Sequence, residues 1–266
     1  MTGVQTCALP IWALDNRDAL ARLVEGVDAV IHMAGAVSAR NRAAFEKVNT
    51  IGTEAVLKAA EAAGVGGFVH VSSLAAREPS LSDYGWSKAA SEAAVTASAM
   101  EWAIVRPPAV YGPGDREMLE LFRMAKRGFV ALPPGGRLSV IAAEDLVRLL
   151  LDLVETPAPG RTYEPDDGVE GGWSHEGFAH ALGTAVGREV RTVAVPARLL
   201  RLGAAIDSTL RRGRAKLTRD RARYFCHPDW VVAAERQPPR DLWQAEIPTE
   251  TGLKATADWY RARKWL

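Results

Sequence analysis

Tyr84 and Lys88 stand four residues apart in the run YGWSK, and on a helix that spacing puts both side chains on one face. An ammonium beside a phenol favours the phenolate and lowers a pKa whose reference value is about 10. A tyrosine activated in this way exchanges a proton with a carbonyl or carbinol oxygen at neutral pH. A hydroxyl at a strand end can hydrogen-bond the same oxygen, and the run VSS supplies Ser72 and Ser73 just upstream. Tyr-x-x-x-Lys alone is a weak signal and by itself more often reads as a solvent-facing helix with an incidental tyrosine. Its weight comes from where it sits in the chain.

The surrounding sequence alternates helical and strand patterns. Residues 18–23 carry apolar side chains at helical spacing and stop before Gly26, and 27–35 (VDAVIHMAG) is an apolar run ending in small residues. A long alanine-rich helix is predicted over 42–64, a strand over 67–73, a helix over 82–100 and a strand over 101–107 that ends at Pro107-Pro108. Near-continuous apolar strands alternating with helices imply βαβ units and a parallel sheet covered on both faces. In such sheets chemistry gathers at the carboxyl ends of the strands, here HMAGAV, SSLAA and RPPAVYGPG.

Beyond Gly114 the pattern changes. A helix is predicted over 116–128, a strand running into a helix over 140–155, a linker TPAPG over 156–160 and a Gly/Asp-rich loop over 164–172. An amphipathic helix over 197–212 leads to a tail bearing Trp230, Trp243, Trp259 and Trp265. This later region reads as a substrate cap. The expected division is a leader at 1–12, a nucleotide-binding domain at 13–155 and mainly cap and tail at 156–266.

Composition narrows the function classes. The 33 basic and 32 acidic residues leave a formal net charge of +1, which gives no overall electrostatic reason to expect nucleic acid or a membrane surface as partner. Cys7 and Cys226 have neither disulfide-framework nor metal-ligand spacing, and no metal site is expected from the scattered histidines. His32 and His70 lie inside apolar strands and read as core histidines. The basic run 211–223 reads as a solvated helix face, and helix 197–212 as packing on its own domain rather than on a membrane. No apolar run reaches membrane-span length and the first residues lack signal-peptide character, so a cytoplasmic protein is expected.

With these motifs in order, the chain resembles an extended short-chain dehydrogenase/reductase, of the NAD-dependent epimerase/dehydratase type. The likeness rests on LDNRD (14–18), VDAVIHMAGAV (27–37), VNTIGTEAVLKAA (48–60), FVHVSSLAA (68–76), YGWSK (84–88), VRPPAVYGPGD (105–115) and VIAAEDLVRLLL (140–151). It implies a Rossmann-type doubly wound α/β fold that uses NAD or NADP on a small-molecule substrate, and it allows a homodimer. Tyr84 would be the general acid/base, Lys88 would lower its pKa and hold the nicotinamide ribose, and Ser73 would be the catalytic serine. Ser72 would lie beside the cofactor, and Asp15 would contact the adenine unless it serves as a helix N-cap. Ala34 and Gly35 would pass close under the cofactor, and Pro107 to Val110 would flank the carboxamide. Asn49 would brace the central strands beside the cofactor, or cap a turn. Tyr111, Asp115 and Arg116 fall where substrate contacts are expected, and Asp145 at a structural position.

Such a domain opens on a strand, a Gly-rich turn and a helix whose N-terminus receives the pyrophosphate. G-x-x-G-x-x-G does not occur: the glycines before Gly35 are Gly3 and Gly26. About 55 residues by the usual βαβ size have no counterpart, and the residue that selects NAD or NADP is expected among them. Residues 1–11 read as translated sequencing adapter joined to a gene fragment, so the sheet is expected to lack its first strands and the chain to bind cofactor weakly. The parent protein is expected to be an oxidoreductase or epimerase acting on a carbonyl or secondary alcohol of a nucleotide sugar or a steroid- or isoprenoid-like molecule. The alternatives are a non-catalytic NAD(P)-binding subunit or regulator and, for this chain, an inactive fragment. The intact Ser/Tyr/Lys set favours the enzyme.

Overall fold

The computed structural model describes residues 14–200, 202–204 and 219–266. The leader 1–12 lies outside them, as do residues 205–212 of the expected helix and the greater part of the basic run 211–223. The first helix, α1 (Arg17–Leu23), starts where the Asn16 carboxamide accepts from the Ala19 N–H at 3.0 Å, so Asn16 rather than Asp15 is the cap. Gly26, with φ of +69°, turns the chain into β1 (Ala29–His32). The helix expected over 42–64 is present as α2 (Arg42–Phe45), a π-helical segment (Glu46–Ile51) and α3 (Gly52–Ala62). Then come β2 (Gly67–Val71), a 3-10 turn (Leu74–Arg77), α4 (Asp83–Thr96), β3 (Glu101–Val105) and β4 (Ala109–Tyr111). The next segment holds α5 (Leu119–Lys126), β5 (Phe129–Leu132), β6 (Arg137–Leu138), β7 (Val140–Ala142), α6 (Ala143–Glu155) and β8 (Arg161–Tyr163).

Strands β1, β2, β3 and β8 form one all-parallel sheet in that order. Alternation along each strand splits the core. Phe68 and Ile104 face α1 and α3 through Leu20, Val56, Leu57 and Ala60, whereas Val69, Ala103 and Val105 face α6 through Leu149, Leu150 and Leu153. Helices on both faces of a parallel sheet make the doubly wound α/β architecture that the sequence predicts.

The rest of the chain is β9 (Trp173–Ser174), α7 (His175–Val186), β10 (Arg191–Ala194), α8 (helical at 197–200 and 202–204), α9 (Arg219–Phe225), β11 (Asp229–Trp230), a 3-10 turn (Ala234–Arg236) and α10 (Thr249–Ala262). Its core joins Phe178 and Leu182 of α7 and Leu253 and Tyr260 of α10 to Phe122 of α5. The two regions therefore interleave across the expected boundary at 155/156. Strand β8 follows the linker yet completes the main sheet, while α5 and β5 precede it and belong to the cap core.

Candidate active site

Ser73 and Tyr84 meet at the carboxyl edge of the sheet. Ser73 follows β2 in extended conformation and starts the 3-10 turn by accepting from the Ala75 N–H at 3.2 Å. Its hydroxyl lies close enough to the Tyr84 phenol to draw that phenol's pKa down. Gly85 makes the approach possible, because a Cβ there would lie 2.6 Å from the Ala75 carbonyl oxygen. The first turn of α4 thus presses on the turn that carries Ser73, with Ser82 capping α4 through the Gly85 N–H at 2.9 Å. The Tyr84 ring also leans on Phe45, 5.9 Å between centroids. Burial raises the phenol's pKa, the Ser73 hydroxyl draws it down, and the Glu117 carboxylate pushes it up, with a net upward result. Tyr224 of α9 lies close enough that Tyr84 adds to the upward push that burial gives its own phenol.

Lys88 takes a different place from the one expected. Its ammonium donates to the Val71 carbonyl at 2.8 Å, and it lies 3.7 Å from where a Cβ on Gly35 would stand. It therefore faces the open end of β1, and it is not among the groups that move the Tyr84 pKa. Burial lowers the lysine's own pKa to about 8, against the opposing pull of Glu92.

Asn49 builds the floor beside Lys88. Its Oδ1 accepts from the Ala36 N–H at 2.7 Å, and its Nδ2 donates to the Ala36 carbonyl at 3.0 Å and to Ser87 Oγ at 2.9 Å. Both amide hydrogens are used inside the protein, so Asn49 positions the loop after β1 rather than reaching a ligand. It sits in the π-helical segment, a helix irregularity that recurs at functional sites. Ala34 and Gly35 form an exposed shelf above it. A Cβ on Gly35 would stand 3.3 Å from Asn49 Oδ1, a tight contact that would press on the carboxamide.

A buried ionic network holds α4 to the sheet and to the cap, and sequence reasoning missed it. Ser72, expected beside the cofactor, instead hydrogen-bonds Glu92 within the core. Glu92 receives a bidentate pair from Arg106, at 2.9 Å from Nε and 2.7 Å from Nη2. Arg106 Nη1 also donates to Glu164 at 3.1 Å, and Glu164 accepts from the Ala233 N–H at 2.9 Å. Arg77 joins from the 3-10 turn, 3.7 Å from Glu164, and donates to the Val231 and Asp229 carbonyls at 2.7 and 3.0 Å. Glu92 lies one turn beyond Lys88 on α4, and that spacing was the available signal.

The residues expected to touch substrate are occupied elsewhere. Tyr111 is buried in the cap core against Gly252, where burial pushes its phenol up to about 12. Both carboxylate oxygens of Asp115 accept from the Glu117 and Met118 N–H groups, at 2.9 and 2.8 Å, as in an N-terminal turn cap. The Arg116 guanidinium stacks over the Trp265 ring, 5.1 Å from its centroid. Asp15 is exposed and pairs with Lys47 at 3.2 Å. Pro107 and Val110 stay near the sheet edge: the Pro107 carbonyl accepts from the Leu74 N–H at 2.9 Å, and Val110 packs towards the α6 side. Asp145 is structural, accepting from the Glu246 and Ile247 N–H groups at 3.2 and 3.0 Å.

His32 and His70 are core residues, as the sequence predicts, stacked with centroids 5.5 Å apart. Thr53 and Ser91 spend their hydroxyl hydrogens on the Asn49 and Lys88 carbonyls. They therefore accept from Nε2 of His32 and His70, at 3.0 and 2.9 Å. Burial first, and the Lys88 charge second, lower the His32 pKa from 6.5 to about 4 and move His70 the same way. Between those values the unfolded chain binds a proton that the folded protein refuses. Stability is therefore full above pH 6.5 and falls as the pH drops towards 4. Urea titrations across this window should show His32 alone contributing about 3 kcal/mol of loss, and His32→Gln should flatten the dependence. An unchanged slope in that variant would contradict the assignment.

Among the described residues no group of His, Cys, Asp and Glu side chains is placed to hold a metal ion, and no helix is long and apolar enough to cross a membrane. Residues 9–156 match the NAD(P)H-binding family. The chain is 40% identical over 261 residues to the ceramide reductase of Caulobacter vibrioides, covering 93% of this chain and 78% of that one. The crystal structure of gox2253 superposes with a TM-score of 0.76 at 19% identity, over 95% of this chain and 84% of the other. The DesIV double mutant, a dTDP-glucose 4,6-dehydratase from Streptomyces venezuelae with NAD and DAU bound, gives 0.67 at 20% identity, over 96% and 80%. A parallel sheet wound on both faces, with a hydroxyl pair and a lysine at its carboxyl edge, thus coincides with a family match over more than half of the sequence, and the chain belongs to the NAD(P)H-binding family.

Proposed function

We propose that this protein is an NAD(P)H-dependent reductase of a carbonyl group on a long-chain lipid, with Tyr84 as proton donor. The observation that carries the chemistry is the Ser73–Tyr84 hydroxyl pair at the carboxyl edge of β2. The 40% identity to a ceramide reductase, spread over 93% of the chain, supports the substrate class over a nucleotide sugar. The shelf of Ala34 and Gly35 fits a ring passing over Lys88, because a side chain at 35 would fill that space. Lys88 would hold the ribose, with Pro107 and Val110 beside the nicotinamide and Asp15 towards the adenine. When bound there, the dinucleotide would supply hydride for the carbonyl carbon.

The chain's own residues then handle the oxygen. Ser73 and Tyr84 hydrogen-bond the substrate oxygen, and the Tyr84 proton passes to it as the oxygen gains charge. A phenol whose pKa lies above its ordinary value stays protonated at neutral pH and is ready to donate. That direction of shift suits reduction better than oxidation, which would need the phenolate. Lys88, as the nearby cation, must carry its charge to hold the ribose, and it loses that charge at about pH 8. Reduction should therefore fall as pH rises through about 8, and Lys88→Arg should carry the fall to higher pH. A profile unmoved by Lys88→Arg removes the lysine from this role.

Fluorescence titration of NADH and NADPH into the full-length gene product tests the reading, followed by turnover on a long-chain 3-keto lipid and on UDP-glucose. Cofactor binding with consumption of the keto lipid is expected. If neither cofactor binds, the enzyme reading falls; if only the nucleotide sugar is consumed, the lipid reading falls.

A further inference from the structure

The even charge of the whole chain hides an uneven surface on the cap. Strand β5 pairs in parallel with β10, with Phe129 opposite Arg191 and Ala131 opposite Val193. Side-chain alternation puts these four residues on one face of the two-stranded sheet, while Val130 turns into the cap core. The outer face is left open, with Phe129 39% and Val193 49% exposed. The chain runs on into α8, where Leu199 and Leu202, one helical turn apart, are each 57% exposed.

Beside this apolar face lies a cleft of about 480 Å³ lined by Arg127, Arg188, Arg191, His180 and Glu189. Gly128, with φ of +87°, closes the turn from α5 into β5, and a Cβ there would stand 3.2 Å from Arg188 Nε. The turn thereby packs against the guanidinium. Among the described residues, none of these three arginines, nor Arg198 of α8, forms an ion pair with a carboxylate. Three arginines against one glutamate leave the cleft cationic.

We propose that the outer β5–β10 face, with its arginine-lined cleft and α8, is a docking surface for a bilayer containing anionic lipid. The charge selects the partner: guanidiniums that outnumber the carboxylates three to one complement lipid phosphates. The apolar side chains among them favour a bilayer over a free anion, since stable attachment takes a basic patch together with an apolar anchor. The inference rests on this surface alone and holds whichever substrate the active site takes.

The test is co-sedimentation of the full-length gene product with two vesicle types, phosphatidylcholine alone and phosphatidylcholine mixed equally with phosphatidylglycerol. Binding to the mixed vesicles is expected, falling steeply with added salt, and about tenfold or more weaker on neutral vesicles. Arg127→Gln with Arg191→Gln should weaken binding by about thirtyfold, at roughly fivefold for each basic residue. Val193→Asp should weaken it comparably, and Leu23→Asp, at an exposed apolar position on α1, should leave it unchanged. Thermal melting of each variant separates lost docking from lost folding. Equal binding to both vesicle types, no binding to either, or no effect of the cleft and Val193 variants overturns the proposal. So does protection of the cleft by inorganic phosphate without vesicle binding, or a self-association that Val193→Asp dissolves.

Discussion

Tyr84→Phe lowers kcat for carbonyl reduction by about 10²–10⁴-fold while leaving the affinity for NADPH nearly unchanged. On the proposed reading the phenol hydrogen is the proton that passes to the substrate oxygen, and the substitution removes it without removing the ring. The ring's contact with Phe45 survives, and α4 keeps its Ser82 cap and the Gly85 approach to the Ala75 carbonyl. Ser73 keeps its own cap on the Ala75 N–H, so the turn that presents it stays in place. Removing a buried phenol hydroxyl whose partner is another hydroxyl changes stability by only about 1 kcal/mol. Steady-state kinetics and cofactor titration on the same preparation check both halves. A loss of NADPH binding equal to the loss of rate would mean that Tyr84 shapes the pocket rather than donating the proton.

Arg106→Met destabilises the fold by about 3–5 kcal/mol, read as a lower urea midpoint at unchanged slope. Among the described residues Arg106 is the only cation paired at short range with Glu92, and it also donates to the fully buried Glu164. Methionine fills much the same volume but leaves Glu92 without its guanidinium and Glu164 with only the more distant Arg77 and Arg236, at 3.7 and 3.9 Å. The desolvation that the guanidinium offset then acts against the fold, and protonation of one or both acids becomes the escape. The variant should therefore recover part of its stability as pH falls towards the carboxylate range. Combining Arg106→Met with Glu92→Gln and Glu164→Gln should restore part of the loss at neutral pH. A single variant as stable as the parent protein would show that the pair contributes nothing net. The same network joins α4 to residues 229–233 of the cap, so its loss should also loosen the wall that Tyr224 presents to Tyr84.

What the sequence made legible was what is local. Apolar runs of strand length, small residues at their ends and a Tyr/Lys pair at helical spacing each report on a few neighbouring positions. They led correctly to a doubly wound parallel sheet. The π-helical segment around Asn49 left no such mark, because its extra residue is absorbed without breaking the apolar pattern of 42–62. The Arg106 network was hidden for a different reason: its partners are 14 and 58 residues away, and no periodicity connects them.

The run YGPGD shows the limit of reading a sheet edge as a site. Its position pointed to the substrate, but the cap folds back over it. Gly252 takes up the Tyr111 ring, the Tyr260 hydroxyl donates to the Asp115 carbonyl at 2.6 Å, and Trp265 takes the Arg116 guanidinium. Those partners come from the last helix and the residues after it, far along the chain. The boundary at 155/156 rested on a linker-like composition at 156–160, which says nothing of whether the strand after it returns to the sheet, as β8 does. The i,i+4 spacing pointed the Lys88 ammonium at the phenol, but it donates to the Val71 carbonyl on β2 and lies near Gly35.

Transfer of deuterium bears most directly on the central claim. The full-length gene product would be supplied with nicotinamide cofactor deuterated at C4 and a long-chain 3-keto lipid, and the product weighed by mass spectrometry. The account predicts one deuterium on the carbinol carbon, formed rapidly by the parent protein and about 10²–10⁴-fold more slowly by Tyr84→Phe. Bound cofactor with no label in the product, or label arriving equally fast in Tyr84→Phe, would contradict it.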